Sequence, residues 1–535
     1  MDVTPMTQNP LRRRCTWLVF LISLALNLTF VARQGGWSSD LGGDPDEAAH
    51  AVTSLMVRDY LADGWHRSPM SFATQYYADF PKVALGHYPP GFYILAGLWL
   101  LPWVSVQSLL ILQSILSAAL SALTYRLASK MMSVPAAFMA GLLVTLLPAS
   151  LKQNQLVMSD GLMVLLSILA AMSWKDYLNR PSFVRSAGFG LLAAAAILTK
   201  GSAMALCVIP PLTTIQCSRW HLLKKVSWWF SAVPVAILAG PWMLYSAKIT
   251  AEGMIHVPLH DFVPAALTFY SHELPRMLGI LFTLSAVIGM ALLMKKSRAQ
   301  QSDSALSATL CSMLVGTLLI ILLIPAGLAG RYLLPALPAL LVGAMLTADR
   351  VSLYLGRGRL AGLAAIFVLG AVEVSEIPSK DVHGFGSAVL KSLPAPQEGR
   401  AVYWLIASDP RGEGAVIAAA AFACPKRSPS PLRVYRGSKE LGSSDWMGRG
   451  YQAAFASQDQ LLDHLDKLRI SRVFVDLSAP AERQQPHERQ LLAAINLAPD
   501  RWQLAFEQTV TRRPGETGVL RVYQRSPSSI HSSPD

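Results

Sequence analysis

The sequence predicts a polytopic α-helical membrane protein that carries a small C-terminal α/β domain. Three observations predict it. Of its 535 residues 15% are charged, where soluble proteins carry about 25%, and 52% are hydrophobic. The shortage of charge falls on residues 15–375, which are mostly long apolar runs, whereas 376–535 has an ordinary soluble composition. The Lys and Arg residues behind the net charge of +13 sit in short clusters between the runs rather than in one stripe. That pattern follows membrane topology and excludes nucleic acid as a partner.

About eleven runs are long enough to approach the roughly 30 Å of a bilayer's hydrocarbon. They lie near 15–32, 105–127, 133–149, 158–174, 184–199, 202–218, 226–246, 276–294, 305–325, 332–348 and 359–374. With the N-terminus in the cytoplasm, six inner loops are all basic: Arg12/Arg13/Arg14, Arg126/Lys130, Lys175/Arg180/Arg185, Arg219/Lys224/Lys225, Lys295/Lys296/Arg298 and Arg350/Arg357/Arg359. The outer connections hold scattered cations, so the positive-inside rule gives the orientation and places 376–535 outside. The expected location is the plasma (cell inner) membrane. The basic triplet before the first run resembles the start of a signal peptide, but no small-residue cleavage site precedes Arg33, and an uncleaved helix is expected. His87 to Trp103 is apolar but bracketed by prolines. Counted as a span it would invert every later loop, so it is read as an interfacial or re-entrant helix within a long first outer loop, 33–104. A second outer loop, 247–275, holds His256, His260, Asp261, His272 and Glu273. The five cysteines form no CxxC pair, which supports neither a zinc site nor a disulfide framework.

The transmembrane domain is thus 1–375, with a boundary near Glu376-Ile377-Pro378 and a linker over 376–397. In the soluble domain, 398–525, Ala401–Ser408, Arg472–Leu477, Trp502–Val510 and Gly518–Tyr523 read as strands. Glu413–Ala423, Asp459–Leu468 and Pro486–Ala498 read as helices, the last with proline in its first turn. No glycine-rich phosphate loop or nucleophile motif is present, and the domain reads as a structural or acceptor-handling appendage. The tail 526–535 is expected to be disordered.

Charged groups at a membrane face are costly to place without a use. Asp44-Pro45-Asp46-Glu47 sets three carboxylates within four residues. Such crowding raises at least one pKa or binds a cation, and a raised pKa suits a general base. The alternative is a solvated turn that caps a helix starting at Glu47. Asp160 begins a run on the outer side and is either a helix N-cap or a second acid facing the first. Lys200 and Arg331 are cations at outer helix ends, either snorkelling anchors or ligands for a lipid phosphate. His87-Tyr88-Pro89-Pro90 opens the interfacial helix, and His87 is a surface histidine or a ligand contact. Acids suit an attacking hydroxyl and cations suit a departing phosphate.

In order along residues 10–375 stand Asp46-Glu47-Ala48, the proline pair of His87-Tyr88-Pro89-Pro90, Ser159-Asp160-Gly161, Leu198-Thr199-Lys200-Gly201, Pro241-Trp242 and Arg331-Tyr332-Leu333-Leu334-Pro335. On these the chain resembles the dolichyl-phosphate-mannose–protein mannosyltransferase-like superfamily, which includes the bacterial lipid A aminoarabinose transferases and has the C-type glycosyltransferase fold. The resemblance implies a polyprenyl-phosphate sugar donor, a site facing away from the cytoplasm, and direct displacement with inversion. Asp46 would be the general base or its positioner. Glu47 and Asp160 would bind acceptor or metal, and Lys200 and Arg331 the lipid phosphate. Asp44, His50, His87, Tyr88 and Tyr332 would complete the substrate site. A divalent cation accompanies some members, with Asp46 and Asp160 as its candidate ligands here. The chain departs from the pattern at Ala49-His50, where many members have an aromatic residue or arginine, and at His87-Tyr88, where many have a lysine before the prolines. The acceptor, whether glycan, lipid or protein, therefore stays open. Two other classes fit a polytopic chain: a lipid or solute transporter, which would commonly show internal repeats that are absent here, and a non-catalytic glycan-assembly protein.

Overall fold

The computed structural model describes residues 10–84, 86–298, 304–373, 379–393, 401–424, 432–445 and 448–526. The expected boundary at 376–378 and the tail after Ser526 lie outside them. Six helices are long and apolar enough to cross a membrane: Pro10–Arg33, Val106–Ala128, Asp160–Asn179, Ile280–Arg298, Ser304–Leu323 and Gly330–Ser352. Two bent pairs raise the total to eight if each is one span, Val134–Leu146 with Pro148–Asn154 (51°) and Val226–Leu238 with Gly240–Glu252 (57°). Prolines cause both breaks. Leu147, before Pro148, is extended at φ −66° and ψ 135°, as the residue before a proline tends to be. Pro241 opens the second half of the other pair and has no N–H to continue a helix across it.

The expected count of eleven is therefore not reached among the described residues. The runs at 184–199 and 202–218 form shorter helices, Phe183–Ile197 and Gly201–Gln216. The second starts as a 3-10 turn, Gly201–Val208, and becomes α-helical just before Pro210-Pro211. The run at 359–374 forms Arg359–Glu373, of 15 residues.

The stretch read as the first outer loop is helical. After α1 (Pro10–Arg33) come α2 (Glu47–Asp59), α3 (Pro69–Asp79) and α4 (Gly91–Leu100), and then the span α5 (Val106–Ala128). With 10 residues, α4 is about 15 Å long, half the hydrocarbon thickness. This is the length an interfacial or re-entrant helix requires.

The C-terminal domain holds a five-stranded sheet. Its strands are β1 (Val402–Ala407), β2 (Leu432–Arg436), β3 (Arg472–Asp476), β4 (Trp502–Arg513) and β5 (Glu516–Arg525), in the order β2-β1-β3-β5-β4. The first three are parallel and the last two antiparallel to their neighbours. Strand β2, and a helix Phe385–Ser392 inside the stretch read as a linker, were not expected from the sequence. Successive side chains of a strand face opposite ways. Along β1, Leu405 and Ala407 pack under the helices Gln458–Lys467 and Pro486–Leu497, while Trp404 and Ile406 face the membrane part. There the alanine-rich helix Pro410–Ala423 lies against α2. One apolar core runs from α2, α3, α4 and α5 through Phe385 and Val389 into the sheet.

Candidate active site

Helix α2 starts at Glu47 with Asp46 as its N-cap residue, but the Asp46 side chain makes no capping bond. Its Oδ2 instead accepts from Arg331 Nη2 at 2.9 Å and from the Tyr88 hydroxyl at 2.9 Å. Asp44 Oδ2 accepts from Arg331 Nη1 at 3.1 Å, and its Oδ1 takes the Asp46 backbone N–H at 3.0 Å. One guanidinium thus spans two carboxylates, the forked geometry for which arginine is suited. Burial alone would raise the Asp46 pKa, yet His50 where low pH protonates it, the Arg331 guanidinium and the Tyr88 hydroxyl outweigh it and hold the carboxyl below its ordinary value. The acid turn was expected to raise a pKa or bind a cation. The cation is Arg331, and the acid whose pKa rises is Glu47, through burial.

The second acid lies in the same cluster. Asp160 is the first residue of its helix, where a carboxylate suits the dipole. Its Oδ1 accepts from Lys200 Nζ at 2.7 Å, and its Oδ2 from Gln153 at 3.4 Å. Lys200 is 7% exposed, so it does not snorkel into water. The Tyr332 ring is near both cations, its centroid 5.4 Å from Lys200 Nζ and 5.7 Å from Arg331 Cζ. Gly91 brings α4 against the helix before Lys200: its N–H donates to the Leu198 carbonyl at 2.7 Å, and a Cβ there would stand 2.7 Å from the same oxygen.

His50, one turn into α2, is sealed inside. Its Nδ1 pairs with the Tyr93 hydroxyl at 2.9 Å, its ring lies 4.7 Å from that of Tyr88, and its Nε2 has no partner among the described residues. Burial lowers its pKa to about 4, with Asp46, Asp160, Lys200 and Arg331 all acting on it, so it is neutral at pH 7. His87 is half-buried. Burial lowers its pKa too, with Glu252 and Asp46 acting in the opposite sense.

Glu47 has a different setting from the one expected. It is fully buried, and its Oε1 accepts from Lys380 Nζ at 2.6 Å while the Gly43 N–H donates to its Oε2 at 3.0 Å. A group so enclosed positions α2 and does not meet an acceptor. Four contributors went unnoticed in the sequence: Lys380, Tyr93, Gln153 and Lys82. Lys82 is buried with Nζ 3.4 Å from the Pro45 carbonyl, and burial lowers its pKa to about 8. Tyr93 lies in an apolar run, and Lys380 is 333 residues from its partner, so no local pattern marks either.

The residues do not fit a metal ion. Arg331 already neutralises Asp44 and Asp46, Lys200 neutralises Asp160, and no group of three metal-ligating side chains exists among the described residues.

The fold is that of the C-type glycosyltransferases. ArnT from Cupriavidus metallidurans bound to undecaprenyl phosphate matches with a TM-score of 0.52 and 14% identity, over 98% of this chain and 99% of that one. Its apo structure matches at 0.54 and 14%, over 97% and 99%. The archaeal oligosaccharyltransferase AglB from Archaeoglobus fulgidus, in complex with an inhibitory peptide and a dolichol-phosphate, matches at 0.53 and 12%, over 96% and 76%. No family model matches the chain, and no curated protein does either.

Proposed function

We propose that the chain is a membrane glycosyltransferase that moves a sugar from a polyprenyl-phosphate donor to a hydroxyl-bearing acceptor, a glycan, lipid or protein outside the cytoplasm. The observation that carries this reading is Arg331, whose guanidinium joins Asp44 and Asp46 beside the Lys200–Asp160 pair. Two similar folds hold a dolichol-phosphate and an undecaprenyl phosphate, which supports the carrier class. The basic inner loops support a cytoplasmic N-terminus in an inner membrane.

In the proposed step the acceptor oxygen attacks the anomeric carbon from the face opposite the phosphate. The new C–O bond forms as the sugar–phosphate bond breaks, which inverts the centre. The electron pair leaves with the phosphate, whose charge Lys200 and Arg331 offset, and the acceptor proton passes to Asp46. While Arg331 clasps Asp46, that carboxylate is a weak base. A phosphate that engages Arg331 withdraws this charge and makes Asp46 more basic when the donor is in place. Tyr88 orients Asp46, neutral His50 backs Tyr88, and the Tyr332 ring offers both cations an aromatic contact.

The test supplies radiolabelled polyprenyl-phosphate sugars singly to the purified protein in lipid, with membrane extract as acceptor. Wild type should release label from one carrier. Asp46→Asn should lose on the order of 10²–10⁴-fold in rate with its fold intact. An Asp46→Asn protein of normal rate would remove Asp46 from this role. A broad donor panel with no turnover by wild type would favour a transporter.

A further inference from the structure

The chain passes from β1 to β2 on one side of β1 and then crosses to β3 on the other. The strand order therefore reverses between β1 and β3, and open α/β sheets bind ligands beyond the carboxyl ends of strands at such a point. Here those ends are Ser408-Asp409 and Asp476 to Ser478. Arg512 reaches them from β4. Its Nη1 donates to Asp409 at 2.7 Å, its Nε to the Ser478 hydroxyl at 2.8 Å, and its Nη2 to the Ser408 hydroxyl at 2.9 Å and to Asp476.

Arg411, Arg483 and Arg513 line the same cavity, together with Gly42 and Glu516. Glu516 accepts from both Arg483 and Arg513. Four guanidiniums thus face three carboxylates, Asp409, Asp476 and Glu516. The surplus is Arg411, whose half-buried side chain has neither ion pair nor hydrogen bond among the described residues. The cavity holds about 10 Å³, room for the centre of one water-sized group. This admits the end of an oxyanion and excludes a sugar ring.

We propose that this crevice is an anion site that takes a terminal phosphate or carboxylate, with Arg411 as its free ligand. Guanidinium forks match those groups, and the site lies where the sheet topology places ligands. Gly42 precedes Asp44 by two residues, at most about 7 Å of chain, so an anion bound here sits next to the acid loop. The proposal does not rest on the transferase reading.

The test titrates the full-length protein in lipid nanodiscs with inorganic phosphate and with glycerol phosphate, wild type beside Arg411→Ala and Arg411→Lys. Wild type should bind saturably. Arg411→Ala should bind about tenfold more weakly or worse with an unchanged melting temperature, and Arg411→Lys should fall between, since it keeps the charge and loses the fork. Tighter binding of glycerol phosphate assigns the anion to a larger molecule such as an acceptor. Equal or tighter binding of inorganic phosphate assigns a free ion. No saturable binding by wild type, or superimposable curves for wild type and Arg411→Ala, overturns the proposal.

Discussion

Arg331 and His50 are both surrounded by the same acids, and they answer in opposite ways. The guanidinium stays charged and pairs with Asp44 and Asp46, whereas the imidazole is fully buried and gives up its proton. The second choice makes stability depend on pH. A histidine whose folded pKa is about 4 against an ordinary 6.5 binds its proton more readily when unfolded. Its contribution is complete above pH 6.5 and is lost as the pH falls towards 4, on the order of 3 kcal/mol in all. The apparent melting temperature of wild type should therefore fall more between pH 7 and 4.5 than that of His50→Gln. Equal falls in the two proteins would show that His50 is not the titrating group. At this scale the sequence was partly legible. Asp46, Asp160, Lys200 and Arg331 stood out because charged groups at a membrane face need a reason. Nothing in the residue order showed that Arg331 would hold the acids, because that pairing bridges 285 residues.

The start of α2 is where two neighbouring acids separate by environment. Asp46 is in the site, and Glu47 turns inward to a pair with Lys380 in which the side chains are 0% and 4% exposed. A buried pair is weak evidence for stability as a whole, but removing one partner strands the other charge. Lys380→Ala should cost roughly 3–5 kcal/mol, and Lys380→Met with Glu47→Gln should recover much of it. Thermal unfolding of the single and double variants checks this, and additive losses would rule out a coupled pair. Three carboxylates in four residues announced an unusual turn. Their division into one structural and two site groups depends on Lys380 and Arg331, which lie far along the chain. Strand β2 escaped notice for a related reason: its alternation Leu432-Arg433-Val434 is short and follows a polar stretch, so the sheet rather than the segment decides its conformation.

For the whole molecule, the shared apolar core has the largest consequence. Helices α2, α3, α4 and α5 bury residues against the helix Pro410–Ala423 and against Phe385 and Val389, so the acid loop has no complete core without the C-terminal domain. A chain ending at Glu373 should insert in the membrane, yet its segment 33–104 should be cut by protease under conditions where the full chain resists. Equal resistance would make the domain an appendage, as the sequence alone suggested. Fold class was legible because composition separates apolar from soluble sequence. The number of crossings was not, because prolines break two helices and other apolar runs fold into helices too short to count as spans, although hydropathy reads each run as continuous.

The Glu47–Lys380 pair also sets a clock. A ribosome working at 5–20 residues per second needs roughly 17–70 s to cover the 333 residues between the two. For that interval a carboxylate destined for the interior has no Lys380 to pair with, and α2 lacks the helix Pro410–Ala423 that packs against it. The acids of the candidate site are among the first residues made and among the last put in order. A chain cut short by a nonsense codon or a stalled ribosome would leave its spans without the Glu47–Lys380 pair and the packing that surrounds it.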